Sequence, residues 1–424
     1  MKPRLRLTAA LAALAAVAIT TVVTTAVGTA GSRPSTAPAQ PVNLTVGNLL
    51  ELTGVAAFLG PPFEKAGVVG ENAVNAAVAK AGLPFHVKVA AADTQADAQA
   101  ALLAARSLVD KGASCLVGPA STFESLSIAN GLTRRRHILL LPQATGTTSD
   151  IRDGRTVLRP VPSAQSTGTA AARAAERILH GARGKTVSLA AFNEPYGTDL
   201  VNFFAKAWKA MGGKVQGPVI FSPQATSLDS EAAKIVKGNP DAYWVIGDPA
   251  VFGRLVQALL RTGQLVPSKL LLPDLLAFPE IPKNIPKQAL EGGHALTVQI
   301  PTNTPMYRTY AKLRKAVGGG SQLPFDPVIT DSVIGCALAA AAAHSASPSA
   351  IESHVLKIAN PPGKTYTIAS LAAAFKAAWA GKDINYQGIS STFDFTGTGD
   401  AAQSQFQVGV YKNGKLLPGP TVKG

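Results

Sequence analysis

The sequence has few charged residues, few aromatic residues and only two cysteines. Of its 424 residues, 15% are charged, 6% are aromatic and 46% are hydrophobic. A chain this apolar is not disordered but folds around a hydrophobic core. Two cysteines are too few for a disulfide-stapled scaffold or a four-thiolate zinc site. At about 150 residues per domain, the length predicts two or three domains.

Acidic residues are scarce relative to basic ones, which gives a formal net charge of +15. A charge of this sign and size is consistent with nucleic acid or a membrane surface as a partner. Part of the excess lies in residues 1–6, which carry three positive charges before an uncharged apolar run over 7–27. This pattern is typical of an export signal, which we predict at residues 1–30, followed by a linker at 31–41. The run is also long enough for an uncleaved membrane anchor. On either interpretation we expect the remaining chain to lie outside the cytoplasm.

Short apolar runs alternate with longer helical patterns along the rest of the chain. Residues 42–141 predict four strands separated by helices, and residues 165–272 repeat this order with four more strands. Strands separated by helices indicate crossover connections and parallel sheets. The predicted fold class is therefore α/β, with two doubly wound parallel-sheet lobes. Two further helices follow, and residues 391–395 and 405–411 are predicted to pair as a β-hairpin.

The chain lacks the signatures of common catalytic and cofactor sites. Two Gly-Lys-Thr triplets, at Gly184 and Gly363, have Leu179 and Ile358 where a phosphate-binding loop needs its first glycine. The glycine pattern at 397–402 joins two predicted strands, so we interpret it as a turn rather than a dinucleotide site. No G-x-S-x-G or H-E-x-x-H pattern occurs, and the histidines are scattered singly. We therefore expect a protein that is not an enzyme and has no cofactor and no metal.

The two cysteines fall in elements that are predicted to be buried. Cys115 lies in a predicted strand, and Cys336 lies in an Ala-rich helix. Buried cysteines commonly behave as small hydrophobic residues. We therefore expect two free thiols, although an exported chain also permits a disulfide.

Small polar residues follow two neighbouring strands of the first half, at the strand ends where α/β sheets bind ligands. The first loop contains Ser121 and Thr122, and Ser121 with Glu124 matches the Ser-x-x-Glu pattern of a capping box. The helix that begins there presents N–H groups that can hold a carboxylate. The second loop contains Gln143, Ala144 and Thr145. Together the loops predict an anion-binding pocket, although ordinary helix capping explains the same residues.

A series of short motifs, taken in order, resembles one known family. The motifs are Leu52-Thr53-Gly54, Asp93-Thr94-Gln95, Val117-Gly118-Pro119, Ala144-Thr145, Tyr196-Gly197, Pro240-Asp241-Ala242, Asp331-Ser332-Val333, Tyr386-Gln387-Gly388 and Gly399-Asp400. In this order the chain, from about residue 42 to its end, resembles the type I periplasmic binding proteins. The resemblance is to the branched-chain amino-acid binding proteins of ABC importers.

This resemblance implies where a ligand would bind. The carboxylate of an amino acid would contact Thr122, the backbone of Gln143, and Thr145. Its ammonium would meet Asp274, because a buried ammonium without a counter-charge is strongly disfavoured.

Three further positions complete the implied site. Tyr196 would reach the ligand from the second lobe, and Asp248 would make another polar contact. Leu59 stands where the family often has an aromatic residue against the ligand side chain. We expect a hydrophobic or branched-chain amino acid, or a related small carboxylate, as the ligand.

The resemblance also implies two lobes joined by a three-strand hinge. The lobes would be residues 42–162 with 299–387, and residues 163–298 with 388–424. Three crossings, near Pro162, Val298 and Gln387, would form the hinge. A ligand in the cleft would favour the closed form, which the membrane permease of an ABC transporter would recognise. We expect the receptor to be a monomer.

Two other functions are consistent with parts of the sequence. A sensory ectodomain would bind a similar ligand and signal through a separate membrane partner. A permease gene beside this one would favour transport, whereas a kinase gene would favour sensing. A hydrolase on the same fold would need a nucleophile and a base in a recognisable arrangement, and none is found.

The basic residues cluster at 134–136 and continue with Arg152, Arg155 and Arg159. We interpret them as a solvated lobe surface with cations near a helix C-terminus. Aromatic residues are not interleaved with them, which disfavours single-stranded nucleic acid. We therefore expect no nucleic-acid partner.

Overall fold

Four parallel strands near the start of the chain form the first sheet, in the order β2-β1-β3-β4. The computed structural model describes residues 40–146, 155–279, 281–320, 323, 325–389 and 393–424. The elements of this region are β1 Val42–Leu50, α1 Gly60–Ala81, β2 Phe85–Asp93, α2 Ala98–Asp110, β3 Ala113–Val117, α3 Thr122–Ile128, α4 Arg134–Arg136 and β4 Leu139–Leu141. The predicted signal segment at residues 1–30 lies outside the described residues.

Both faces of this sheet are buried, as its uninterrupted apolar strands require. Leu44 and Val46 of β1 pack in one core with α1, whereas Leu49 packs in a second core on the opposite face with α2. The start of α1 lies close to the residue that follows β1. A Cβ on Gly60 would lie 2.5 Å from the carbonyl oxygen of Glu51, so glycine permits this approach.

The second sheet is built from the middle of the chain, in the order β13-β12-β9-β8-β7-β5-β6. Its elements are α5 Ala164–Ile178, β5 Thr186–Phe192, α6 Pro195–Ala210, β6 Lys214–Phe221, α7 Asp229–Val236, β7 Ala242–Ile246, α8 Pro249–Arg261, β8 Leu270–Leu272 and β9 His294–Val298. The five strands β5 to β9 pair in parallel. Trp244 of β7 stacks on Phe204 of α6 with ring centroids 5.8 Å apart, which anchors the core of this lobe.

The last part of the chain contributes to both lobes. Its elements are α9 Pro305–Ala316, α10 Asp326–Ala342, α11 Pro348–Ala359, β10 Lys364–Tyr366, α12 Leu371–Trp379, β11 Ile384–Tyr386, β12 Gln405–Lys412, β13 Lys415–Leu417 and β14 Thr421–Lys423. Helices α10, α11 and α12 pack into the core of the first lobe. The buried carboxylate of Asp331 in α10 accepts hydrogen bonds from Tyr386 Oη and from the N–H of Ile389, each at 2.7 Å.

The predicted hairpin between residues 391–395 and 405–411 is wrong. Strand β12 pairs with β9, β13 and β14, and Phe395 makes only an isolated bridge to Ala401. The alternating pattern identified β12 as a strand but carried no information about its partner, which is the edge of the second sheet.

Phe393 and Phe395 lie in the core of the first lobe, whereas Phe406 lies in the core of the second. We therefore place the third crossing between Phe395 and β12 rather than at Gln387. The other predicted lobe boundaries stay predictions.

Cys115 and Cys336 form a disulfide, so the expectation of two free thiols is wrong. Both side chains are fully buried, in β3 and in α10, as the sequence predicted. Their Cα atoms are 6.2 Å apart although 221 positions separate them in the chain. The pairing depends on α10 lying across β3, which neither local pattern reveals.

Among the described residues, no helix combines the length and the hydrophobicity that crossing a bilayer requires.

Candidate functional site

A cavity of about 360 Å³ lies between loops from both lobes. Its first wall comes from the loops after β1, β2, β3 and β4, and its second wall from the loops after β5, β6, β7 and β8. These are the carboxyl ends of the parallel strands, where open α/β sheets bind ligands. The volume lies in the range of small-molecule sites.

The structure brings eight of the nine predicted binding residues to this cavity. These are Leu59, Ser121, Thr122, Gln143, Thr145, Tyr196, Asp248 and Asp274. The ninth, Ala144, is fully buried behind the wall, and its carbonyl faces Arg159. The contact of each residue with a ligand stays a prediction.

Thr122 joins the two loops of the first wall. Its Oγ1 accepts a hydrogen bond from the N–H of Gly146 at 3.1 Å. A Cβ on Gly146 would lie 2.5 Å from that oxygen, so only glycine permits the contact. Because the hydroxyl already accepts one hydrogen bond, its own proton can be donated to an acceptor in the cavity. The N–H of Gln143 donates to the carbonyl of Pro119 at 2.9 Å, which fixes the loops side by side.

The predicted capping box is absent. Ser121 occupies the N-cap position of α3, but its side chain accepts no N–H from the helix. Glu51 takes over part of this role from outside the helix. Its Oε1 accepts hydrogen bonds from the N–H groups of Ala120 at 2.8 Å and Ser121 at 3.2 Å. Two N–H groups of the loop are therefore already used by a protein carboxylate.

Arg159 supports the second loop from behind. Its side chain is 2% exposed, and Nη1 donates to the carbonyls of Thr145, at 2.9 Å, and of Ala144 and Gly146. Its Nε donates to Oδ1 of Asp400 at 3.0 Å. The interpretation of Arg159 as part of a solvated surface is therefore wrong, because buried loop carbonyls need donors and this guanidinium provides them. No local pattern distinguishes it from the exposed arginines of α4.

Asp274 is the most buried carboxyl group of the second wall. It is 7% exposed, and its Oδ1 accepts hydrogen bonds from Tyr196 Oη at 2.7 Å and from the N–H of Leu275 at 2.9 Å. Burial raises the pKa of Asp274 above its usual value, and Tyr196 partly opposes this by donating its hydrogen bond. No Lys or Arg within the described part of the chain bonds to this carboxyl group. A cationic group in the cavity would supply the missing counter-charge.

Two more carboxyl groups make the second wall acidic. Asp248 caps α8, and its Oδ1 accepts hydrogen bonds from the N–H groups of Ala250 and Val251. Glu194, which the sequence analysis missed, lies just before α6, and burial followed by the charge of Asp248 raises its pKa. Of the described lining residues only Arg254 is cationic, and it donates to a backbone carbonyl.

Aromatic side chains surround the apolar part of the cavity. They are Phe58, Phe63, Phe123, Phe192 and Phe325. Leu59 occupies the position where the family often has an aromatic residue. The neighbouring Phe58 lines the cavity, and 41% of its surface is exposed. The site therefore combines hydroxyl donors, a buried carboxylate and an apolar surface.

Comparison with known proteins identifies a family for this arrangement. The family model described as "Periplasmic binding protein" matches residues 43–415. A search of curated protein sequences finds no match.

Solved structures share the fold at low sequence identity. The branched-chain amino acid transporter substrate binding protein LivJ from Streptococcus pneumoniae, in complex with isoleucine, has a TM-score of 0.71 at 16% identity, covering 90% of this chain and all of its own. The leucine binding protein LivK from Thermotoga maritima has a TM-score of 0.71 at 19% identity, covering 89% of this chain and 98% of its own.

A third similar structure is a solute binding protein of an ABC transporter from Rhodopseudomonas palustris in complex with p-hydroxybenzoic acid. It has a TM-score of 0.66 at 18% identity and covers 90% of this chain and 97% of its own. At these identities the similarity establishes the fold alone. The predicted α/β class with two parallel-sheet lobes is confirmed.

Proposed function

Since the chain belongs to the periplasmic binding protein family, whose members bind solutes without catalysing a reaction, we propose that it is the solute-binding receptor of an ABC importer. Its ligand is a hydrophobic or branched-chain amino acid, or a related small carboxylate, held in the cavity between the lobes. The observation that carries this proposal is a pair of opposed walls. Thr122 and Thr145 offer hydroxyl groups on one wall, and Asp274 offers a buried carboxylate without a cation on the other.

The two walls match the two charged ends of an amino acid. A ligand carboxylate at Thr122 and Thr145 would accept their hydroxyl protons, while Arg159 holds the second loop in place through its hydrogen bond to the carbonyl of Thr145. The ligand ammonium would pair with Asp274, and a hydrogen bond to a charged group contributes about 1.5–3 kcal/mol. Both interactions would take place between protein walls, where charges interact more strongly than in bulk solvent.

The aromatic residues of the cavity account for the rest of the ligand. A hydrophobic side chain placed against Phe58 and Phe123 would be removed from water, which is favourable by about 25 cal/mol per Å² of apolar surface. The similar structure that holds isoleucine supports an amino acid. The one that holds p-hydroxybenzoic acid supports the broader class of small carboxylates.

The remaining parts of the proposal concern transport. Ligand contacts to both walls would stabilise the closed arrangement of the lobes, and a membrane permease would recognise that arrangement. Export through the predicted segment at residues 1–30 would deliver the receptor to the outer side of the membrane.

Isothermal titration calorimetry with a ligand panel tests this function. We expect heat with L-leucine, L-isoleucine or L-phenylalanine. L-leucinamide lacks the carboxylate, and 4-methylpentanoate lacks the ammonium, so each should bind more weakly than L-leucine. Tighter binding of 4-methylpentanoate or of p-hydroxybenzoate would shift the assignment to the small carboxylates. Absence of heat with every amino acid and every carboxylate would contradict the proposal.

A further inference from the structure

Two buried carboxyl groups lie directly behind the first loop of the cavity. Glu51 follows β1, Glu124 lies in the first turn of α3, and both are fully buried. Glu51 Oε1 accepts the N–H groups of Ala120 and Ser121, as described above. The position of Thr122, the next residue, therefore depends on where the Glu51 carboxyl group lies.

The remaining oxygens of this cluster make no hydrogen bond of normal length, although the hydroxyl groups of Thr94 and Ser121 lie near enough to Glu124 to oppose, in small part, the effect of burial on its pKa. Within the described part of the chain, Glu51 Oε2, both carboxyl oxygens of Glu124 and the hydroxyl of Thr94 are buried without a hydrogen-bond partner. Two ionised carboxylates cannot satisfy each other, because both are only acceptors. A proton on one of them turns it into a donor and satisfies the pair.

The surrounding charged groups do not neutralise the pair. Asp93, beside Thr94, accepts hydrogen bonds from Thr53, and Asp97 caps α2. Lys65 of α1 donates to the carbonyl of Gly319. No salt bridge of the described residues includes Glu51 or Glu124. An ionised buried pair without a cation would be strongly destabilising.

We propose that Glu51 and Glu124 share a single proton, and that this proton holds the loop of Ala120, Ser121 and Thr122 in place against the ligand cavity. Glu124 donates its carboxyl proton to Glu51, which leaves Oε1 of Glu51 free to accept the two loop N–H groups. Loss of the proton leaves two like charges in contact, and their repulsion displaces Glu51 and releases the loop. The consequence for ligand affinity rests on the proposed function, whereas the shared proton does not.

The electrostatics agree with this arrangement. Burial, followed by the negative charge of Glu51, raises the pKa of Glu124 from 4.5 to about 9. The folded protein therefore keeps a proton that the unfolded chain releases above its ordinary pKa. The contribution of this carboxyl group to stability must fall as pH rises between these two values, since the group binds more protons in the folded state throughout that window.

The variant Glu124→Gln tests the role of the shared proton. The amide of glutamine keeps the size of the side chain and donates N–H to Glu51 at every pH. We expect this variant to melt at a higher temperature than the wild type, with a difference that grows from about pH 5 to about pH 9. Glu64→Gln, which removes an exposed carboxylate of α1, is the matched control and should show no such trend.

Carboxyl ¹³C NMR of the full chain labelled at glutamate measures the titration directly. The signal that disappears in Glu124→Gln belongs to Glu124, and we expect its midpoint near pH 9. A midpoint near the ordinary value of 4.5 would overturn the shared proton.

Amide hydrogen exchange measures the positioning role in the same ligand-free protein. Above the midpoint, exchange of the Ala120 and Ser121 amides should accelerate in the wild type relative to Glu124→Gln. Equal exchange in the two proteins would overturn the role of the proton in holding the loop. Comparing the proteins at one pH cancels the intrinsic pH dependence of exchange.

Binding of L-isoleucine adds the functional readout. Between about pH 7.5 and about pH 9.5 the affinity of the wild type should fall several-fold relative to Glu124→Gln, and the comparison at each pH cancels the titration of the ligand ammonium. A constant ratio would contradict the link between the proton and the cavity. Failure of both proteins to bind L-isoleucine would count against the proposed ligand alone, because the NMR and exchange measurements use no ligand.

Discussion

At the scale of single residues, Asp274 is the proposed counter-charge for the ammonium of the ligand. Asp274→Asn keeps the hydrogen bonds from Tyr196 and Leu275 but removes the charge that would hold an ammonium. We expect amino-acid affinity to fall by about 10-fold to 100-fold, in line with about 1.5–3 kcal/mol for a hydrogen bond to a charged group. The melting temperature should not fall at neutral pH, because burial disfavours the ionised form and raises the pKa of Asp274. Calorimetric titration and thermal unfolding check both expectations.

Asp248→Asn is the matched control for that variant. Asp248 also lines the cavity, but its Oδ1 is bound to the first turn of α8. Asparagine is itself a good N-cap residue, so stability should change little, and affinity should fall less than in Asp274→Asn. An equal loss of affinity in the two variants would contradict the special role of Asp274.

Lowering the pH through the raised pKa of Asp274 should also weaken binding, since protonation removes the same charge.

Variants of the two threonines of the first wall distinguish a role in ligand binding from a role in stabilising the loops. Thr122 accepts the N–H of Gly146, so Thr122→Ala leaves a buried donor unpaired and should cost about 1–3 kcal/mol of stability as well as affinity. Thr145→Ala should reduce affinity with little change in melting temperature, because its side chain accepts no hydrogen bond in the described structure. Thr122→Ser should restore both properties. If Thr145→Ala lowered stability as much as Thr122→Ala, both threonines would be structural.

Sequence could locate Thr122 and Thr145 because both follow strands that the apolar runs define. The groups behind them could not be found in this way. Glu51 follows β1, and Arg159 follows the isolated bridge between Val157 and Leu140. Both reach the loops through space, over 69 and 14 positions respectively. Glu194 had a weaker signal, since it stands at the end of β5, but no partner in the sequence marks it.

At the scale of elements, the second loop of the cavity and the third crossing share one buried ion pair. Arg159 bonds to the loop of residues 144–146 and to Asp400, which lies between Phe395 and β12. One side chain therefore joins the crossing to the second loop of the cavity. The resemblance to the binding-protein family did not predict this link, because Arg159 and its partner Asp400 are 241 positions apart in the sequence.

Arg159→Ala should destabilise the whole protein. The substitution leaves Asp400 without its guanidinium and the carbonyls of residues 144–146 without a donor. Removing one partner of a buried ion pair costs about 3–5 kcal/mol, so the urea midpoint should fall clearly. Arg173→Ala, which removes an exposed arginine of α5, should change stability by less than about 0.5 kcal/mol. Similar urea midpoints for the two variants would show that the ion pair of Arg159 does not stabilise the protein.

The elements also show where sequence patterns succeed. Strands β5 and β7 belong to the series of strands that the sequence predicted over residues 165–272, because each is an apolar run between polar turns. Strand β12 was found but given the wrong partner. Local patterns define a strand, whereas its neighbours follow from the assembly of the complete sheet.

At the scale of the whole molecule, the disulfide between Cys115 and Cys336 links two distant parts of the chain, and the sequence alone did not predict it. It joins β3 to α10 inside the first lobe, and neither sulfur lines the ligand cavity. The chain between the two cysteines includes the complete parallel part of the second sheet. The link therefore restricts the unfolded state of both lobes while touching only the core of one.

Cys115→Ala combined with Cys336→Ala should lower the free energy of unfolding by about 4–5 kcal/mol, because the closed loop is long and its entropy is regained on unfolding. Ligand affinity should stay within about twofold of the wild type, since both replaced side chains lie in the core rather than at the cavity. Urea unfolding with and without dithiothreitol checks the first expectation. The reductant should bring the wild type towards the variant and leave the variant unchanged. If dithiothreitol did not change the urea unfolding of the wild type, the two cysteines would be free thiols, as their burial alone had suggested.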